Sequence, residues 1–321
     1  MIELKGLNKV FDTADGQTHA VRDVDMVIDS GDICVLLGPS GCGKTTTLKM
    51  INGLIPKTAG KIFLDGQDTD DLDPVALRRR IGYVIQQIGL FPNMTIEDNV
   101  CSVPDLLGWD KAKSRREAAD WLSMVNLDPS LYLKRYPNEL SGGQQQRAGV
   151  ARALAARPTL MLMDEPFGAI DPINRDIIQD EFLKIQRELG ITVILVSHDL
   201  DEAIKLADQI AIFNDGQLIQ SDSPDRLLAQ PKPGFVDEFL GSEKTLMRLS
   251  LRRCSDVYQP GAAPANGPSV LLNESLRTVS STLIKYGADS LPVTHEGAVV
   301  GTVSQAAITA HLADENFKRG R

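Results

Sequence analysis

The sequence has no excess of basic residues: 34 Lys and Arg stand against 43 Asp and Glu, a formal net charge of −9. A protein whose main partner is a nucleic-acid backbone usually carries the opposite balance, so the composition argues against DNA or RNA as the ligand. Paired cysteines are also lacking. Cys34, Cys42, Cys101 and Cys254 show no CxxC spacing, and a chain of 321 residues can build a core without disulfide staples. Both facts count against a small secreted scaffold and fit a reducing compartment. No run approaches the roughly 18 consecutive apolar residues of a membrane span. The opening MIELKGLNKV interleaves charged with apolar residues where a secretory signal would have an apolar centre. A chain of this kind reaches a membrane by docking onto another polypeptide.

What is present is an ordinary globular composition, 42% hydrophobic and 24% charged, with length enough for two or three domains. Residues 32–37 (DICVLL) read as a buried strand ending at Gly38, and from Lys44 the apolar residues Leu48, Ile51 and Leu54 have helical spacing. Residues 159–163 (TLMLM) and 191–196 (ITVILV) repeat the strand pattern, each followed by a polar turn and a helical pattern. Strands alternating with helices predict an α/β fold with a mainly parallel sheet covered on both faces.

Residues 96–140 contain no comparable strand, while Ala118, Trp121, Leu122 and Val125 recur at helical spacing, so about 90–150 reads as a helical insertion. The first domain is expected over 1–240. A short basic run from Arg248 to Arg253 and a Pro/Gly/Ala-rich stretch to Pro268 then predict a linker over 241–268. The basic run reads as solvated charge or as a contact with anionic lipid headgroups. In 269–321 the pattern predicts a strand, a helix, two strands and a helix that Ser304 caps.

Gly38, Pro39, Ser40, Gly41, Cys42, Gly43, Lys44 and Thr45 satisfy G-x-x-x-x-G-K-[ST], the phosphate-binding loop. Glycines let successive backbone N–H groups face one phosphate, and the following helix, with Thr46 in its first turn, presents its positive end to the same anion. Lys44 brings a point charge to the outer phosphates, and the Thr45 hydroxyl is a natural Mg²⁺ ligand. Cys42 inside this loop reads as a reactive thiol, its labelling blocked by bound ATP. Residues 160–166 (LMLMDEP) run an apolar strand into two carboxylates. Adjacent carboxylates alone mark a surface turn more often than a site. After a buried strand, in a chain with a phosphate loop, Asp164 is placed to hold Mg²⁺ and Glu165 to activate water as a general base.

Residues 140–144 (LSGGQ) put Ser141, Gly142, Gly143 and Gln144 at the start of a helix-forming run, either a plain N-cap or a second anion site. In the order phosphate loop, LSGGQ, carboxylates, the chain resembles the ATP-binding cassette (ABC) ATPases over about residues 1–240. That resemblance implies a P-loop NTPase with ATP and Mg²⁺ as its cofactors. It further implies that Gln86 is the Q-loop glutamine, also at the metal, that Asp171 is the D-loop aspartate, that His198 is the switch histidine and that Phe11 stacks on adenine, where the family more often has Tyr. It implies two copies paired head to tail, each ATP lying between one chain's phosphate loop and the other's Ser141–Gly143. It also implies a permease gripped through residues 86–99, an indirect substrate-binding protein, and a place at the cytoplasmic face of the membrane.

The segment IGYVIQQIGLFPNMTIEDNV resembles importers of quaternary amines such as glycine betaine, carnitine and choline. The 269–321 unit is similar to a single cystathionine-β-synthase (CBS) repeat, a module that usually comes in pairs, whereas many sugar importers carry a β-barrel tail. Alternatives at this point are an importer for another solute such as an amino acid or polyamine, an exporter's ATPase, and a soluble ABC protein of DNA repair or translation.

Overall fold

The structure is a computed structural model, and it describes residues 1–14, 16–86, 89–168, 170–261 and 268–313. It divides into two compact units, 1–222 and 223 onward.

In the first unit, β1 (Ile2–Thr13) and β2 (Gly16–Ile28) form a long antiparallel pair. Burial alternates at the start of β1, with Ile2 and Leu4 inward as a strand with one wet face requires, and an irregularity before Leu7 shifts the phase so that Leu7 and Lys9 are buried next. β3 (Ile33–Leu37) is buried at every position and feeds the glycine loop and α1 (Lys44–Ile51). Helix α1 stops at Ile51 because Gly53 takes a left-handed φ of 61°, so Leu54 lies outside the helix and is exposed, against its expected place in the helical stripe. β4 (Ala59–Leu64) and the short β5 (Gln67–Asp68) complete an antiparallel sheet of order β2-β1-β4-β5, an addition to the expected parallel sheet.

Next come α2 (Pro74–Arg79), β6 (Ile81–Val84) and the insertion: α3 (Ile96–Leu106), α4 (Lys111–Met124), α5 (Pro129–Tyr132) and α6 (Gly142–Leu154). Helix α4 buries Ala118, Trp121 and Leu122, the stripe read from the sequence. β7 (Leu160–Asp164), α7 (Pro172–Leu189), β8 (Thr192–Val196), α8 (Leu200–Leu206), β9 (Gln209–Asn214) and β10 (Gln217–Asp222) follow. Six strands make a sheet of order β10-β9-β3-β8-β7-β6, parallel throughout except for β9–β10. β3, β7 and β8, buried along their whole length, occupy interior positions, the burial expected of parallel strands covered on both faces. Leu4, Val24 and Ile28 of the first sheet share one core with Leu36, Leu162 and Ile194 of the second and Leu48 of α1. Each such side chain contributes about 1.5–3 kcal/mol on burial.

The second unit opens with α9 (Pro224–Ala229), α10 (Phe235–Leu240) and α11 (Lys244–Leu251), continues through β11 (Gln259–Pro260) and β12 (Val270–Leu271), and ends with α12 (Leu276–Tyr286), β13 (Ser290–His295), β14 (Ala298–Ser304) and α13 (Gln305–Ala313). Its division from the first unit at 222/223, rather than at 240, follows from α9: Arg252 Nη2 reaches Asp225 of α9 at 2.6 Å, with Arg248 Nε at 3.6 Å from the same carboxylate. The expected linker is therefore largely structure. Leu249 and Cys254 pack into a core with Val279, Leu283 and Val293, and the Pro/Gly/Ala-rich residues 262–267 lie outside the described residues. Two of the arginines proposed for lipid contact are thus ion-paired, their side chains less than a fifth exposed. The strand, helix, two strands and helix of 270–313 match the expected order, and the Ser304 hydroxyl accepts from the Ala307 N–H at 3.2 Å as the cap.

Candidate nucleotide site at the strand ends

β3, β8, β7 and β6 lie side by side and in parallel, with Leu36 opposite Val196, Val196 opposite Asp164 and Met163 opposite Val84. The segments that leave these strands carry Gly38–Thr46, Ser197 and His198, Glu165, and Gln86. Residues far apart in sequence therefore emerge at one carboxyl edge of the sheet, the usual position for a ligand in an α/β fold.

The glycine loop is fixed by close backbone packing. Gly38 has φ 144° and a Cβ there would lie 2.2 Å from the Phe213 carbonyl oxygen; at Gly43, φ 102°, it would meet the Ala20 carbonyl oxygen at 2.3 Å. No other residue fits either position. Ser40 and Gly41 stay exposed at the mouth of the loop. Lys44 is 6% exposed and its Nζ donates to the carbonyls of Gly38 at 2.6 Å and Pro39 at 2.9 Å. Among the described residues no carboxylate lies within ion-pair distance of it. A buried ammonium held by backbone carbonyls and a neutral thiol is poised for an anion, and the N–H groups at the start of α1 point the same way. Cys42 is 4% exposed, with its sulfur 3.6 Å from Lys44 Nζ. That burial replaces the expectation of a freely reactive thiol.

At the end of β7, Thr45 Oγ1 donates to Asp164 Oδ1 at 2.9 Å. Burial raises the Asp164 carboxyl above the ordinary carboxylate range, and the Thr45 hydrogen bond partly offsets this. Glu165 follows in a left-handed conformation, φ 47°, its N–H bonded to the Val196 carbonyl at 3.0 Å. Such backbone costs a non-glycine residue about 1–3 kcal/mol and recurs at functional sites. The turn brings its carboxylate between two neighbours: Gln86 Nε2 donates to Oε2 at 2.8 Å, and His198 Nδ1 lies 3.6 Å from Oε1. The oxygen pair of Thr45 and Asp164 suits a hard divalent cation such as Mg²⁺, which takes few protein ligands and completes its shell with water and phosphate.

Ser141 and its glycines lie elsewhere on the surface. Ser141 caps α6 through a reciprocal box: its hydroxyl accepts from the Gln144 N–H at 3.4 Å and Gln144 Oε1 accepts from its N–H at 2.9 Å. Ser141 and Gly142 are exposed, and among the described residues no hydrogen bond joins Ser141, Gly142 or Gly143 to the glycine loop. Asp171 is exposed and caps α7 by accepting from Asn174 N–H at 3.2 Å. Phe11, half-buried on β1, carries Lys9 Nζ 4.7 Å above its ring. Sequence reasoning missed a polar group behind His198, made of Arg175, Gln179, Ser197, Asp199 and Glu202; its members come from two helices and a turn, and only the polar start of α8 signalled it.

A family model described as ABC transporter matches residues 21–168. The osmoprotectant import ATP-binding protein OsmV of Salmonella typhimurium is 56% identical over 86% of this chain and 72% of its own length. The glycine betaine/carnitine/choline transport ATP-binding protein OpuCA of Bacillus subtilis is 54% identical over 77% of this chain, which spans 64% of that protein. The glycine betaine uptake system ATP-binding protein YehX of Escherichia coli is 41% identical over 94% and 97%. Among solved structures, the dimeric ATP-binding cassette MJ0796 bound to ADP and phosphate superposes with a TM-score of 0.64 at 34% identity, covering 70% of this chain and 98% of that one. Motifs gathered at the strand ends and extended similarity to such proteins lead to one assignment: the chain belongs to the ABC transporter ATP-binding proteins.

Proposed function

We propose that this chain is the ATP-hydrolysing subunit of an importer for quaternary amine osmoprotectants of the glycine betaine, carnitine and choline type. The observation that carries the hydrolytic half is the Glu165 carboxylate, held by Gln86 and faced by His198 beside the buried Asp164. The glycine loop and Lys44 hold the phosphates. Thr45, Asp164 and Gln86 would hold Mg²⁺, which would supply charge neutralisation on the phosphate oxygens. Glu165 accepts the proton of the attacking water, and His198 donates to the terminal phosphate. Phe11 lies against the adenine.

Ser141, Gly142, Gly143 and Gln144 serve the ATP of a second copy, with Asp171 at the same junction. The exposure of Ser141 and Gly142, with no hydrogen bond among the described residues from this turn to the chain's own glycine loop, supports this, as does the dimeric state of the related cassette. The permease docks on the segment after Gln86, of which residues 87 and 88 lie outside the described residues. Asn99 is fully buried there and bonds Phe91 N–H and O, Met94 O and Thr95 O, which fixes a turn that exposes Phe91 and Met94. Arg152 of α6 donates to Gly89 O at 2.6 Å and lies over the Phe91 ring, so the docking turn is tied to the helix that begins at Ser141. Among the described residues no helix is long and apolar enough to cross a membrane; the chain works at the cytoplasmic face beneath its permease. The 269–321 unit is a single CBS-like repeat.

The substrate class rests on the relatives named above. Reconstitution with the membrane subunits and binding protein tests it: ATP-dependent uptake of labelled glycine betaine, choline or carnitine is expected. Stimulation by an amino acid or polyamine alone would redirect the substrate assignment while leaving the ATPase reading intact.

A further inference from the structure

Behind His198 lies a polar group that the proposed hydrolysis does not use. Glu202, in the first turn of α8, is 7% exposed, yet among the described residues it forms no ion pair; its carboxylate accepts from the Ser197 hydroxyl on one oxygen and from Gln179 Nε2 at 2.9 Å on the other. Ser197 is 2% exposed and directly precedes His198. Gln179, 3% exposed, belongs to α7, the helix that Asp171 caps. A second strut runs parallel to the first: Arg175 of α7 reaches Asp199 at 3.5 Å on one side and the Ile170 carbonyl at 3.0 Å on the other. Asp199 in turn accepts from the Glu202 N–H at 3.1 Å, and its own N–H donates to Ser197 Oγ at 3.0 Å. Glu165, Gly168, His198 and Glu202 line one small cleft. A buried carboxylate is costly unless its lone pairs are satisfied, and here its side-chain partners among the described residues are Ser197 of the His198 turn and Gln179 of α7.

We infer that Glu202 is a positioning residue that fastens the His198 turn to α7, so that His198 reaches the reacting phosphate only when α7 and the Asp171 turn at its start are in place. The inference rests on the ATPase reading above. It makes the start of α7, which the same reading puts at the junction with a second copy, a control point for His198 of its own chain.

The test is a double-mutant cycle on the full chain, read as steady-state Mg-ATP hydrolysis with melting curves to check folding. Glu202→Gln keeps the volume and one acceptor. It is expected to lower kcat about tenfold through misplacement of His198, with KM for ATP within about twofold because Lys44 and Thr45 are untouched. In a His198→Ala background, assayed at high enzyme concentration, the same change is expected to cost less than about twofold. Gln179→Met, which cuts only the α7 link, repeats the pattern and serves if Glu202→Gln does not fold. Equal losses in both backgrounds, or no loss of kcat in the native background, overturn the inference. An inactive native chain would overturn the ATPase reading itself, a different failure seen before any variant is compared.

Discussion

The strand-end cluster and the Ser141 turn both present polar groups at the start of a helix, but they are held differently. In the cluster each group is fixed by another segment: Thr45 by Asp164, Gln86 and His198 by Glu165, Lys44 by the loop carbonyls. At the Ser141 turn the bonds are internal to the cap, apart from Gln144 Nε2 donating to the Tyr132 hydroxyl at 2.9 Å. A Cβ added at Gly142 or Gly143 meets nothing within 4 Å. The first region is preorganised within one chain; the second is a finished surface with no hydrogen bond to the first among the described residues. A composite site built from two copies needs one half of each kind.

Breaking the cluster gives the largest effect. Glu165→Gln removes the base and keeps the shape, so hydrolysis falls by about a thousandfold while nucleotide binding, followed with a fluorescent ATP analogue, persists. Gly143→Asp probes the other half. The side chain has room, and a carboxylate in the first turn suits the helix dipole, so folding and binding to the chain's own loop are unchanged. It repels a phosphate brought by the second copy, and hydrolysis drops about a hundredfold. Weakened nucleotide binding by Gly143→Asp in the isolated chain would erase the distinction between the regions.

A thiol-labelling experiment sharpens the same contrast. All four native cysteines are buried, Cys42 included. Maleimide is expected to label a thiol introduced by Ser141→Cys at least about tenfold faster than Cys42, and Mg-ATP to slow the new thiol where two copies close over it. Rapid modification of Cys42 without ATP would mean that the glycine loop opens, contrary to its packing on Phe213 and Ala20.

The cluster was legible because its chemistry is written in short local motifs, each following an apolar run: GPSGCGKT after 32–37, DE after 160–163, SH after 192–196. Their convergence was not, since it depends on the strand order β3-β8-β7-β6, which no local pattern encodes. The antiparallel β1–β2 sheet is not legible because the alternation of Ile2 and Leu4 breaks before Leu7, where the first of several irregularities up to Val10 shifts the register. Glu202 escaped because its partner Gln179 lies 23 residues away on another helix. The 241–268 linker misled for the opposite reason. Its arginines look solvated in sequence, but Arg252 is neutralised by Asp225, and Leu249 supplies an apolar anchor that a composition count cannot weigh.

The smallest effect is one of stability, and it separates the regions by sign. Asp164 is 5% exposed, and burial lifts its carboxyl above the ordinary range. The folded chain therefore holds that proton more tightly than the unfolded chain does. The corresponding stability is complete at low pH and is lost as pH rises from the unfolded value through the folded one. At neutral pH without divalent cations the ionised group is a cost, so Asp164→Asn raises Tm by a few degrees, and the gain shrinks as the buffer is acidified. Mg-ATP reverses the ranking, because ligand binding to the folded state raises the native Tm more than that of a variant whose amide offers no anionic oxygen. Gly143→Asp, on the uncommitted turn, leaves both the pH trend and the Mg-ATP shift of the single chain as they are. An Asp164→Asn variant that melts below the native chain at neutral pH in metal-free buffer would show that the Thr45 hydrogen bond outweighs desolvation, and that the cluster is stable before its ligand arrives.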